Sequence, residues 1–193
     1  MAETGQAAGS PPNPAAIEQA VRRIIDRGTA CAAFVSLDEA GAGVASPAVA
    51  REIAELGLRV LLLDLTVSGA VSRAMLDTVS LPGITDLLAN AAGSGDVVHA
   101  DRGSTCHVIP VGTVDPALAM RSAACLSPIL QSLVAAHDVV VVECGPASLR
   151  GLRWLGSGDI DMFVSLAGTS GPVAGKRLSA IRHGFPDAAV VRV

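Results

Sequence analysis

Apolar residues recur along this chain in two rhythms that alternate. Ile17, Val21, Ile24 and Ile25 fall three to four apart, which predicts a helix from about Ala15 to Arg27, stopped by Gly28. Cys31 to Leu37 is then a short apolar run bounded by polar residues. Pro47 to Leu56 reads as a helix closed by Gly57, with Ser46 as its N-cap, and Leu58 to Leu65 is almost uniformly apolar, as in a strand covered on both faces. Further strands are expected at 107–111, 138–142, 162–166 and 188–193. Further helices are expected near 84–91, 116–135, 147–155 and 172–183. About six buried strands alternating with helices imply a three-layer α/β/α domain around a doubly wound, mostly parallel sheet. The pattern covers residues 15–193. Residues 1–14 are rich in Ala, Gly, Ser and Pro and read as a flexible tail or linker.

Composition sharpens this. The chain has 193 residues, and half are hydrophobic with a charged fraction of 17%, far from the low hydrophobicity and high charge of disordered segments. A net charge of −4 argues against a nucleic-acid surface. The densest apolar run, Ala123 to Ala136, is interrupted by Ser127, Pro128, Gln131 and Ser132, so direct membrane insertion is not expected. The N-terminal residues have neither a basic start nor an apolar stretch of signal-peptide type. Cys31, Cys106, Cys125 and Cys144 lack metal-type spacing and read as buried thiols of a reducing cytosol. Lys176 is the only Lys, and there is no Tyr.

In such sheets the chemistry lies beyond the carboxyl ends of the strands. A glycine-bearing loop there, opening a helix, can cradle phosphate through its backbone N–H groups. Here Gly41-Ala42-Gly43-Val44-Ala45-Ser46 follows the first strand, and Asp64 and Glu143 end two apolar strands, where carboxylates would hold Mg²⁺ or orient water. Two glycines before a helix also form ordinary turns, and carboxylates at strand ends also cap neighbouring helices.

Several segments carry a resemblance. The glycine loop is followed by Gly57-Leu58-Arg59-Val60-Leu61-Leu62-Leu63-Asp64, then Pro82-Gly83-Ile84-Thr85-Asp86-Leu87-Leu88, Val108-Ile109-Pro110-Val111-Gly112, the Ser122 to Leu133 helix and the Asp138 to Pro146 strand. In order and spacing, residues 31–193 resemble the P-loop domain of bacterial tyrosine kinases and exopolysaccharide chain-length regulators, relatives of the MinD/ParA ATPases. Pro82 to Leu88 is the most distinctive piece and favours the polysaccharide branch. The resemblance implies a P-loop NTPase-like fold. It also implies a nucleotide site at Gly41, Gly43, Val44, Ala45, Ser46, Asp64 and Glu143, with Ser46, Asp64 and Glu143 as the metal set if Mg²⁺ is held.

The departures fall on the catalytic positions. Val44 stands where the family has its phosphate-binding Lys, and Ala45-Ser46 replaces Ser-Thr. Asp38 and Glu39 add negative charge beside the loop, Thr66 replaces a second Asp, and Glu143 replaces Asp. With no Tyr, there is no tyrosine-rich tail to phosphorylate. The expectation is a domain without catalytic residues and with no resident cofactor, Mg-ATP or Mg-ADP being held weakly if at all. It would act as a regulatory or scaffold component of exopolysaccharide synthesis and export. Its expected partner is a membrane-spanning chain-length regulator or export component, in the same chain or another, at the inner face of the cell membrane, with self-assembly as a further option. Two other readings stay open: a residual nucleotide-binding ATPase or tyrosine-kinase-like enzyme, and a non-catalytic localisation factor of MinD/ParA type. Arg22 and Arg23 are expected on a solvated helix face, and His99, His137 and His183 have no evident partners.

Overall fold

The computed structural model describes residues 12–38, 41–78, 80–146, 149–152, 155, 159–167 and 172–193. The expected tail up to residue 11, Glu39 and parts of the 147–155 helix lie outside these residues.

One sheet of seven strands, in the order β3-β4-β2-β5-β1-β6-β7, organises the described chain. Its strands are β1 (Cys31–Ser36), β2 (Val60–Asp64), β3 (His99–Ala100), β4 (His107–Ile109), β5 (Val139–Glu143), β6 (Ile160–Leu166) and β7 (Ala189–Arg192). All pairings are parallel except β3 with β4 at one edge. β3 is too short for periodicity to reveal. The helices are α1 (Pro14–Arg27), α2 (Ala45–Glu55), α3 (Ala70–Met75), α4 (Ile84–Leu88), α5 (Pro116–Ala119), α6 (Leu126–Ala136), α7 (Leu149–Leu152) and α8 (Pro172–Gly184). Asn13 and Pro14, read as tail in the sequence, open α1 instead: the Asn13 side chain accepts from Ala15 N–H, and Pro14 takes the first turn.

Burial on both faces explains the uniformly apolar strands. Ala32, Phe34, Val60, Leu62, Val139 and Val141 face a core with α1, α2 and α3. The alternate residues, among them Cys31, Leu61, Leu63, Val140 and Val142, face a second core that takes in Ile84, Leu126 and Ile181. Phe34 and Phe163 stack at 4.9 Å in the first core. Arg23, expected to be solvated, crosses that face instead. Its guanidinium donates to both oxygens of the buried Asp161, at 2.7 and 3.1 Å, because a carboxylate so deeply placed needs a charged partner.

The helix expected over 116–135 is three pieces. A 3₁₀ segment, Met120–Cys125, joins α5 to α6, with Ser122 off helical geometry at φ −103° and ψ 21°. Within the 21-residue run Pro116–Ala136 an 18-residue window has a mean hydropathy of 1.3, more than its interrupted pattern suggested. Cys125 lies on its exposed side, so the expectation of four buried thiols holds for the other three only.

β1 sits between β5 and β6, so the connection to β2 crosses β5 and the connection from β5 to β6 crosses β1. Chain therefore leaves the ends of β1 and β5 in opposite directions, opening a crevice there.

Candidate functional site

The loop after β1 lies at this crevice. Gly41 N–H donates to Asp38 Oδ1 at 2.9 Å, drawing the loop onto its own carboxylate. Gly43 takes φ +70°, open to glycine at little strain. α2 then begins at Ala45, with Val44 as N-cap at φ −87° and ψ −49° and no side-chain cap. This corrects the expected start at Pro47 with Ser46 as cap. A proline is tolerated within the first turn, where N–H groups have no intrahelical acceptor, so Pro47 fits as the third residue of the helix. Ser46 is fully buried, and its hydroxyl donates to Glu143 Oε2 at 2.7 Å. That bond replaces any capping role.

Asp64 and Glu143 are cross-strand neighbours on β2 and β5, both with zero exposure. Asp64 has a complete set of donors. Oδ1 accepts from Thr66 N–H and hydroxyl at 2.9 and 2.6 Å, and Oδ2 accepts from Ser72 N–H and hydroxyl at 2.9 and 2.6 Å. The carboxylate thereby ties the loop after β2 to the start of α3. Glu143 turns towards the glycine loop. Its Oε1 accepts from Gly145 N–H at 2.9 Å. Burial raises its pKa to about 7, against the lowering effect of the Ser46, Gly145 and Gly43 donors, with the Asp64 charge adding to the rise.

Of the seven expected site residues, Ser46 and Glu143 bond to one another and Asp64 lies beside Glu143 in the strand register, while Gly41 is bonded to Asp38 and Asp64 to Thr66 and Ser72. The Gly41 N–H, which would face a phosphate, donates to Asp38 instead. Asp64 accepts from four donors and Glu143 from two, which occupy lone pairs a cation would use. No group of three or more His, Cys, Asp or Glu among the described residues is arranged to hold a metal. The Gly41–Asp38 and Ser46–Glu143 bonds would have to open before this site could take Mg-nucleotide.

Sequence spacing missed two features of this crevice. Arg177 of α8 donates to Leu37 C=O at the entry of the loop, bringing a cation to a segment that has none nearby in sequence. Ser36 and Ser165, register partners on β1 and β6, are buried with hydroxyls that have no hydrogen-bond partner among the described residues. Their signal was polar residues at the ends of otherwise apolar strands. Because an unpartnered buried hydroxyl is unfavourable, Ser165→Ala is expected to leave stability unchanged or raise it by up to about 1 kcal/mol, measured by urea unfolding. Two histidines also gain partners: a His99 ring nitrogen lies 2.8 Å from Pro82 O, and one of His137 lies 3.0 Å from Leu133 O.

Solved structures share this fold. The chain aligns with the BceF tyrosine kinase domain at TM-score 0.74 and 19% identity, over 91% of this chain and 73% of that one. With the VpsO kinase domain the TM-score is 0.77 at 17% identity, over 92% of both chains. The fold is that of the bacterial tyrosine kinase domains. The septum site-determining protein MinD of Pyrococcus horikoshii OT3, solved with Mg-ADP, aligns at TM-score 0.57 and 18% identity, over 82% of this chain and 67% of that one. No protein-family profile matches the chain, and no curated protein matches it in sequence. The expected P-loop NTPase-like architecture of MinD/ParA type is thus established, at identities that speak for fold alone.

Proposed function

We infer that this is a recognition domain that has kept a tyrosine-kinase fold and given up nucleotide turnover. The observation that carries this reading is that the protein's own carboxylates engage the glycine loop: Gly41 N–H donates to Asp38, and Ser46 Oγ donates to Glu143. An incoming triphosphate would have to displace two carboxylates of its own charge sign, with Val44 in place of a cation. The likeness of Pro82 to Leu88 to the polysaccharide branch supports a role in exopolysaccharide synthesis and export. There the domain would act as a regulatory partner of a membrane-spanning chain-length component and lie at the inner face of the membrane through that partner.

Arg177 favours a second reading. Its guanidinium at Leu37 could take over the lost Lys charge if the loop opened, giving weak Mg-nucleotide binding. A localisation factor of MinD type is a third reading and also needs no turnover. Calorimetric titration with Mg-ATP and Mg-ADP separates the first from the second. No binding in the low micromolar range is expected. Binding in that range, abolished by Asp64→Ala, would overturn the recognition reading. The pair Val44→Lys with Pro47→Ala should raise nucleotide affinity, and failure to do so would show that the loop is not a phosphate site in disguise.

A further inference from the structure

Two small cavities meet at the loop after β2. One, of about 240 Å³, lies on the face that carries α4 and α6. Ile84, Ala123, Leu126, Leu152 and Leu155 form its apolar walls, and each is at least nine-tenths buried. Its polar side chains are turned elsewhere: Asp64 and Thr66 bond to one another, and Thr85 Oγ1 packs against Gly112, outside this cavity. The other cavity, of about 250 Å³, is lined by Ser68, Gly69, Ser72, Gly112 and one charged side chain, Arg73. Val67 and Val111 border both, and Val67 is 88% exposed. Arg73 is held at this border, because its guanidinium donates to the carbonyl of Ser68, the neighbour of Val67. That bond leaves most of its N–H donors unused. Arg22, Arg23, Arg27, Arg51 and Arg59 each pair with a carboxylate, whereas Arg73 has no such partner among the described residues.

The pairing of the two cavities selects the occupant. Each alone is smaller than the roughly 300–1,000 Å³ of ordinary ligand pockets, and together they reach that range. At protein packing density the first holds about eight to ten carbon-sized atoms. No side chain in it rewards a polar group, so it suits a plain hydrocarbon chain. The second presents a guanidinium with no carboxylate among its lining residues, so it suits an anion. A ligand that fills both carries its apolar chain and its charge at opposite ends. No residue from Gly41 to Ser46 lines either cavity, so this pair of spaces is distinct from the glycine loop.

We propose that the two cavities form one site for a small anionic amphiphile: a single hydrocarbon chain of about eight to ten carbons, held against α4 and α6, whose carboxylate or phosphate lies on Arg73. The proposal goes beyond the recognition reading and does not depend on it.

The test uses the full chain, with methyl resonances followed by NMR as octanoate is added below its micelle concentration. Octanoate should shift the methyls of Leu126, Leu152 and Val111, and octyl phosphate the same set; the tighter of the two identifies the head group. Octanol should bind roughly fivefold more weakly, and octylammonium more weakly still. Arg73→Gln should lower octanoate affinity to that of octanol and leave octanol unchanged. Arg121→Gln, next to Met120 but outside both cavities, should change neither. Ala123→Leu, which fills the apolar cavity, should abolish binding of both ligands. Ala119→Leu serves if that variant fails to fold, and the head-group series decides if both fail. The proposal is overturned if octanoate shifts no cavity methyl, if octanol or octylammonium binds as tightly, or if the filled variant binds equally well. It is also overturned if the same methyls shift on dilution of the protein alone, which would mark a face between two copies. Shifts with phosphatidylglycerol vesicles and none with octanoate would overturn it in favour of a bilayer surface.

Discussion

At pH 8 the Glu143→Gln variant is expected to unfold at a higher temperature than the parent chain, by about 8 °C, and at pH 4.5 to be indistinguishable from it. The reason is the placement of Glu143. Its side chain has zero exposure, and burial raises its pKa from 4.5 to about 7. Below the unfolded value the carboxyl is protonated in both states and contributes nothing to the pH dependence. Between 4.5 and about 7 the unfolded chain releases the proton while the folded chain keeps it, so folding stability falls as the pH rises. Above that window both states are ionised, and the folded state carries the full penalty, about 3 kcal/mol. Glutamine fits the same space without the charge, its carbonyl accepting from Gly145 N–H and its amide meeting Ser46 Oγ. The difference between variant and parent isolates this group, because Asp86 and Asp101 are held below the usual carboxylate range, by donors from Thr113 and Gly83 and from Arg51 and Ser104 respectively, against the opposing effect of burial. Their contributions are lost only as the pH falls through those low values. Thermal unfolding from pH 4 to 9 checks the result. Parallel curves for the two proteins would show that Glu143 is not the buried acid described here.

That carboxyl also shows what could be read from the chain and what could not. The central strands β1, β2, β5 and β6 were legible because each is buried on both faces, whereas the short edge strand β3 was not. Leu58 to Leu65 and Asp138 to Val142 predicted β2 and β5 to within two residues. The start of α2 was not legible, because it is decided by a tertiary bond. Ser46 hydrogen-bonds Glu143, 97 positions away, and this outweighs the local preference for a start at Pro47. Likewise Arg177 reaches Leu37 across 140 positions, and Arg23 reaches Asp161 across 138. Sequence spacing sees the donors and acceptors but not which of them meet. For the glycine loop, the sequence shows Val44 where a Lys is expected; only the structure shows that the Asp38 carboxylate takes the Gly41 amide and Glu143 the Ser46 hydroxyl.

The largest loss of stability is expected from Gly83→Ala, in the segment that most resembles the polysaccharide branch. Gly83 precedes α4, and its N–H donates to Asp86 Oδ2 at 2.9 Å. The next two amides, of Ile84 and Thr85, donate to Pro110 and Val111 carbonyls of the loop after β4, at 2.9 and 2.8 Å. Asp86 in turn accepts from Thr113 N–H at 2.7 Å and from its hydroxyl at 2.6 Å. The start of α4 is thus laid directly on the backbone after β4, and a Cβ on Gly83 would overlap Pro110 O and come within 2.5 Å of Gly112 N. Both are main-chain atoms, so no side chain can turn aside. Relief requires α4 to separate from residues 110–113, breaking several of these bonds together. The expected loss is about 4 kcal/mol, with a lower urea midpoint at an unchanged slope. Gly95→Ala is the control: a Cβ there meets nothing within 4 Å, and the change should stay within about 0.5 kcal/mol. If both variants unfold at the same urea concentration, this glycine is not needed for the close approach. The likeness of Pro82 to Leu88 to its family would then call for an explanation at a binding surface, not in the fold.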